Sequence, residues 1–245
     1  MRLLLINPNT SPDITDLVAA NAQKCASPNT KFDPVTARFG ARYIGTRAAA
    51  AIAGHAALDA FSAFWRPHHQ GVLLACFGDP GIEALREISP VPAIGMAEAA
   101  MREAVEMGSR VGILTGGARW VPMLTEFVAT LGLSAQLARV RAVAATGAEI
   151  AADPERALGE LAAAATACAE EDGADIVILG GAGLAGLVPR VQPLTKVRLL
   201  GSLEASIARL ERMVRETAPA FAPAPSVPSI GLAPELAALI SRPTP

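Results

Sequence analysis

The sequence predicts an α/β fold made of two pseudo-symmetric lobes, each built on a parallel sheet, with a site in the cleft between them. Three observations predict it. Short apolar runs alternate with longer helical patterns, the signature of βα units whose strands lie parallel. The chain has 245 residues, 51% hydrophobic and 18% charged, enough to bury a core without staples. The pattern also repeats: the strand ending at Ile6 stands 70 residues before Cys76, and the strand ending at Leu114 stands 67 before Gly181. Equivalent strands of a duplicated lobe would face each other across a cleft, where ligands of parallel sheets bind.

The first apolar run, Leu3 to Ile6, closes on Asn7-Pro8-Asn9. Ser11-Pro12-Asp13 then opens a helix over Asp13 to Ala26, with a capping hydroxyl, a proline at the first helical position and an early acid. Lys31 to Thr36 is a weaker strand and Ala48 to Phe64 a helix. Val72 to Ala75 is the second strong strand, after which Asp79-Pro80 is read as opening a helix in the same way. Val91 to Gly95 is a weak strand and Met96 to Glu106 a helix. The second half runs through strand Val111 to Leu114, weak strand Gln136 to Val140, helix Pro154 to Glu170 and strand Ile176 to Leu179. Weak strand Val197 to Leu200 and helix Leu203 to Arg215 follow. Residues 1–95 with 200–216 make the first lobe, 96–199 the second, and 217–245 a tail. In the tail Pro219 to Pro228 reads as aperiodic and polyproline-like, and Pro234 to Ile240 as one short helix.

A formal net charge of −2, with no run of lysines or arginines, lacks the footprint of a nucleic-acid or anionic-membrane binder. No apolar stretch approaches the roughly 18 residues of a membrane span, and the four apolar residues after Met1-Arg2 are too few for a signal peptide. The three cysteines lack CxxC spacing, which argues against a disulfide framework and a structural zinc, so a reducing cytoplasm is the expected compartment. A small molecule is the expected partner. A homo-oligomer stays open, with no segment that locates its contact.

Cys76 ends an apolar strand and is followed by the turn Phe77-Gly78-Asp79-Pro80-Gly81. A thiol near a helix N-terminus is expected to have its pKa lowered from about 8.5 toward neutrality, which favours the thiolate. Cys25 and Cys168 fall in helices and read as packing. His55 and His68-His69 lack metal-ligand spacing, the histidine pair reads as surface loop, and a Cys-His hydrolase would require a partner found only in space. Glu83 and Glu98 read as helix-surface acids, with Glu98 alternatively facing the cleft. Gly181-Ala182-Gly183-Leu184-Ala185-Gly186 matches G-x-G-x-x-G, with Glu204 placed as a ribose acid. Pro189 and the few elements left after the motif argue against dinucleotide binding, leaving a tight turn whose amides face an anion.

Four segments resemble the Asp/Glu/hydantoin racemase superfamily: Ile6-Asn7-Pro8-Asn9-Thr10-Ser11, Ala75-Cys76-Phe77-Gly78-Asp79-Pro80-Gly81, Arg110-Val111-Gly112-Ile113-Leu114-Thr115 and Ile178-Leu179-Gly180-Gly181-Ala182-Gly183. The first two look most like hydantoin and allantoin racemases. The resemblance implies two α/β lobes, no organic cofactor or metal, and a small carboxylate or hydantoin substrate. It also implies two cysteines facing each other across the substrate carbon. Here the second position is Gly181, which has no proton to exchange. Arylmalonate decarboxylase, in the same superfamily, also keeps one cysteine, though the other one, and a single acid suffices to protonate an enolate after loss of carboxylate. The expected machinery is Cys76 for proton transfer, the backbone amides of Phe77, Gly78, Ala182 and Gly183 as donors, and Asn9 and Thr115 as anchors. Arg42-Tyr43 read equally as site rim or as solvated loop. A binding protein that kept the cleft and lost turnover is a further alternative.

Overall fold

The four strong apolar runs have no polar position because both of their faces are covered, the mark of central parallel strands. In the computed structural model, which describes residues 1–216 and 228–241, they form β1 (Arg2–Asn7), β3 (Gly71–Leu74), β5 (Val111–Gly116) and β7 (Ile176–Leu179). The weaker runs are their neighbours: β2 (Lys31–Thr36), β4 (Ala93–Gly95), β6 (Leu137–Val143) and β8 (Arg198–Gly201). One sheet has the order β2-β1-β3-β4 and the other β6-β5-β7-β8, all parallel. The second order is the first advanced by four strands, which is the predicted duplication. Pro34 is tolerated because β2 is an edge strand.

The register makes the internal equivalence residue-exact. Ile6 pairs with Leu74 and Leu114 with Leu179. Beyond each pair the ladder continues by one bond, Ala75 N–H to the Ile6 carbonyl at 2.8 Å and Gly180 N–H to the Leu114 carbonyl at 2.9 Å. Cys76 and Gly181 are therefore equivalent positions, one residue past the last bond of their strands.

The helices are α1 (Pro12–Cys25), α2 (Arg47–Phe64), α3 (Ile82–Ile88), α4 (Met96–Met107), α5 (Trp120–Thr130), α6 (Gly147–Ala152), α7 (Pro154–Glu170), α8 (Val188–Val191), α9 (Ser202–Glu216) and α10 (Pro234–Ile240). The helix read from Asp79-Pro80 starts later, at Ile82, because Asp79 (φ +47°) and Gly81 (φ +78°) are left-handed and cannot begin it. Helices α5 and α6 escape the sequence reading: α5 has no side-chain cap and carries Pro122 in its first turn, while α6 is one short turn held by the Thr146–Glu149 capping box. Helices α4 and α9 pack on each other and touch strands of both sheets, so a single apolar cluster runs from Leu3, Leu73 and Ile94 through Met101 and Leu210 to Ile113 and Ile178. Helix α10 packs on α2 through the buried Leu236. Most of the segment read as polyproline-like, residues 219–227, lies outside the described residues. Among the described residues no helix is long and apolar enough to cross a membrane.

Candidate active site

The strand-end turns after β1, β3, β5 and β7 converge on one cavity, as expected where parallel strands present their C-terminal ends. Of the residues singled out from sequence, Asn9, Cys76, Phe77, Thr115, Gly181, Ala182 and Gly183 all line it. Gly78 does not: it packs against Trp120, whose ring occupies the space a Cβ would need.

Asn9 is aimed by its neighbours. Its Oδ1 accepts from Ser11 N–H and from Asn7 Nδ2, each at 2.9 Å, and only an oxygen can accept a backbone N–H. The Asn9 NH₂ group is thereby left for a ligand. Asn7, fully buried, spends its own amide on Asn9, the Ser11 carbonyl and the Thr15 hydroxyl, and so holds the turn. On the second lobe the Thr115 hydroxyl lies 3.7 Å from where a Cβ on Gly181 would stand. Gly181 has φ +141°, so a side chain there would be strained as well as pressed against Leu184. Among the described residues, the N–H groups of Phe77, Ala182 and Gly183 have no protein acceptor. Orphan amides lining a cavity are ready donors for developing negative charge.

The Cys76 thiol behaves opposite to the sequence expectation. It is only 7% exposed, and burial first and the Asp79 carboxylate second push its pKa well above the ordinary range. Helix α3 begins six residues later, too far for its dipole to act. Cys76 thus rests as a thiol, a proton donor. Asp79 is itself buried and caps α4 from outside, accepting Ala97 N–H at 2.8 Å and Glu98 N–H at 2.7 Å. Gly95 precedes that helix because a Cβ would overlap the Asp79 carboxylate. Burial raises the Asp79 pKa to about 7 against the hydrogen bonds that lower it. Since an unfolded aspartate titrates near about 3.9, the native state holds this proton more tightly. The resulting stability is full below about pH 4 and is lost as pH rises through about 7. The expected outcome is that the Tm advantage of wild type over Asp79→Asn shrinks between about pH 5 and pH 8, read by thermal melts across that range; a pH-independent difference contradicts it.

Other residues correct the sequence reading. Glu98 does not face the cleft; it is buried between Arg86 at 2.6 Å and Arg102 at 2.7 Å. Cys25 is exposed rather than packed, whereas Cys168 is a core residue against Gly112. Glu204 folds back over Gly201, and the G-x-G-x-x-G stretch forms a single 3₁₀ turn over Ala182–Leu184 without a long helix behind it. His69 is buried, not a surface residue, and with His68 and Asp33 places three potential metal ligands within 4.8 Å. The bonding excludes His69 as a ligand: its Nδ1 accepts Arg66 N–H at 2.9 Å, which puts the ring proton on Nε2, facing Asp33 at 2.8 Å. Arg2 already neutralises Asp33 at 2.7 Å.

Of the pair left undecided in the sequence, both Arg42 and Tyr43, from the loop before α2, line the cavity; those that sequence reasoning misses include the apolar or aromatic Trp120 from α5, Ile14 and Ile44. Isolated aromatics outside a periodic pattern carry no signal until the chain is folded.

The family model described as Asp/Glu/Hydantoin racemase matches residues 3–210. A hydantoin racemase of Rhizobium meliloti is 32% identical over 148 residues, 59% of this chain and 61% of that protein, so the match spans less than two thirds of its length. A hydantoin racemase of Paenarthrobacter aurescens is 29% identical over 87% of this chain and 91% of its own. Among solved structures, an allantoin racemase from Pseudomonas fluorescens superposes with a TM-score of 0.84 at 31% identity, covering 88% of this chain and 91% of its own. Arylmalonate decarboxylase, at 19% identity and a TM-score of 0.61 over 89% and 94% of the two chains, shares the fold. The chain belongs to the Asp/Glu/hydantoin racemase family.

Proposed function

We propose that the protein racemises small, uncharged, hydantoin-like rings at the carbon beside the carbonyl, with Cys76 transferring the proton. The observation that carries this reading is Cys76 at the end of β3, lining a cavity that also presents the orphan amides of Phe77, Ala182 and Gly183. Removal of the Cα proton pushes charge onto the neighbouring carbonyl oxygen, where those amides stabilise the enolate more than the ground state. The Asn9 NH₂ and the Thr115 hydroxyl hold the ring. A thiol with a raised pKa is a strong base once ionised and a proton donor otherwise. The lining contains Arg42 but no Asp, Glu or Lys, so the ammonium of a free amino acid would meet no counter-charge. A neutral ring with an apolar substituent against Ile14, Ile44 and Trp120 fits better.

Gly181 favours a second reading. With no thiol at that position and a protonated Cys76, the site suits delivery of one proton to one face of an enolate left by decarboxylation. Assays with a single-enantiomer 5-substituted hydantoin, the matching free amino acid and an arylmalonate separate the two. Loss of optical activity from the hydantoin alone is expected. Carbon dioxide release from the arylmalonate, or racemisation of the amino acid in place of the hydantoin, contradicts it.

A further inference from the structure

Racemisation needs a proton on each face of the carbon, and Gly181 supplies none. The side chains lining the cavity that carry an exchangeable proton are Asn9, Arg42, Tyr43, Cys76, Thr115 and Trp120. Apart from the thiol, only the phenol of Tyr43 has an acidity useful to proton transfer, since amides, indoles and alcohols hold their protons too tightly and arginine stays charged. Its loop is tied to the Asn9 turn through Thr10 N–H to the Ala41 carbonyl at 3.1 Å and the Ser11 hydroxyl to the Arg42 carbonyl at 2.9 Å. From this first-lobe anchor the ring reaches the second lobe. The phenol donates to the Gly116 carbonyl at a long 3.3 Å and lies 2.9 Å from where a Cβ on Gly117 would stand. Gly116 follows Thr115, whose hydroxyl lies 3.7 Å from the Cβ position of Gly181, so the phenol reaches the second-lobe wall of the cavity beside that turn while staying more than 4 Å from the Cβ position itself.

We propose that Tyr43 is the second proton-transfer residue, acting on the face of the substrate opposite Cys76. The assignment rests on the racemase reading above. Burial holds the phenol in its protonated form at rest, while the Trp120 side chain and the Gly147 backbone amide favour the ionised form reached once its proton leaves. Its weak bond to Gly116 is the one that must be given up when the proton moves. In one direction Cys76, its thiol proton first released to solvent, takes the Cα proton as the thiolate, and the electron pair passes into the enolate. The Tyr43 O–H bond then breaks as its proton forms the new C–H bond on the other face, leaving Cys76 as thiol and Tyr43 as phenolate. Turnover in the reverse direction, or exchange with water, restores the starting state.

Proton NMR in D₂O, with each enantiomer of a 5-substituted hydantoin taken separately, tests this on wild type, Tyr43→Phe and Cys76→Ala. In Tyr43→Phe inversion falls at least about 100-fold, while one enantiomer still exchanges its Cα proton for deuterium with retention, through Cys76. The retained exchange shows that the site is folded, and a purely structural tyrosine would not split the two signals. Inversion at the wild-type rate overturns the assignment. So does loss of exchange together with inversion, which would make Tyr43 a packing residue. If wild type itself shows no Cys76-dependent exchange, the racemase reading falls and the assignment with it, a result distinct from both.

Discussion

Replacing Cys76 by Ala is expected to reduce the proposed racemisation by about 100- to 10,000-fold if the thiol supplies general acid–base catalysis alone, with little change in stability. The small stability cost follows from the site: the thiol borders the cavity, and the Cys76 carbonyl and N–H keep their bonds to Asp79 N–H at 3.2 Å and to the Leu74 carbonyl at 3.0 Å. Cys76→Ser separates shape from acidity, since a hydroxyl keeps the geometry and hydrogen-bonding capacity but is a far weaker acid. It is expected to be nearly as inactive as the alanine variant. Polarimetry of a single-enantiomer hydantoin measures both. Activity within an order of magnitude of wild type in either variant would remove Cys76 from the chemistry.

Gly183→Ala is expected to cost both stability and activity. A Cβ at this position would overlap the carbonyl of Gly147, which is backbone and cannot swing aside. The turn Ala182–Leu184 and helix α6 must then separate. Overpacking of this kind costs about 1–3 kcal/mol, and for a chain of this size that lowers Tm by about 2–4 °C per kcal/mol. The same displacement moves the amides of Ala182 and Gly183, and a shift near about 1 Å in such donors costs about 100-fold in rate. Gly159→Ala is the control, because nothing lies within 4 Å of its Cβ position. Thermal melts and steady-state rates on the two variants check the prediction; a fully active, equally stable Gly183→Ala would show that these two turns do not meet as described.

The parts of this architecture legible from sequence are those set by local chemistry. Leu3 to Ile6 and Ile176 to Leu179 announce central strands because both faces are buried, and the spacing from each first strand to its third locates Cys76 and Gly181 at equivalent turns. What escapes depends on tertiary neighbours. The raised pKa of Cys76 reflects burial and the placement of Asp79, and Asp79 is where it is because the left-handed turn at 79 and 81 turns its carboxylate onto α4 instead of starting α3. Tyr43 sits in a loop without periodicity, and only the approach of the second lobe gives its phenol a carbonyl to bind. Glu98 reads as a helix-surface acid in the sequence: its i+4 partner Arg102 is visible there, but Arg86, which completes its burial, is twelve residues away and on another helix.

Proton NMR in D₂O follows the Cα proton of the hydantoin enantiomer whose proton faces Cys76, the one that Tyr43→Phe still exchanges, with wild-type protein and with Cys76→Ala. Deuterium is expected at that carbon in the inverted product with wild type, and neither deuterium nor inversion above the uncatalysed rate with Cys76→Ala. Inversion without solvent deuterium, or equal exchange by the two proteins, would contradict that expectation.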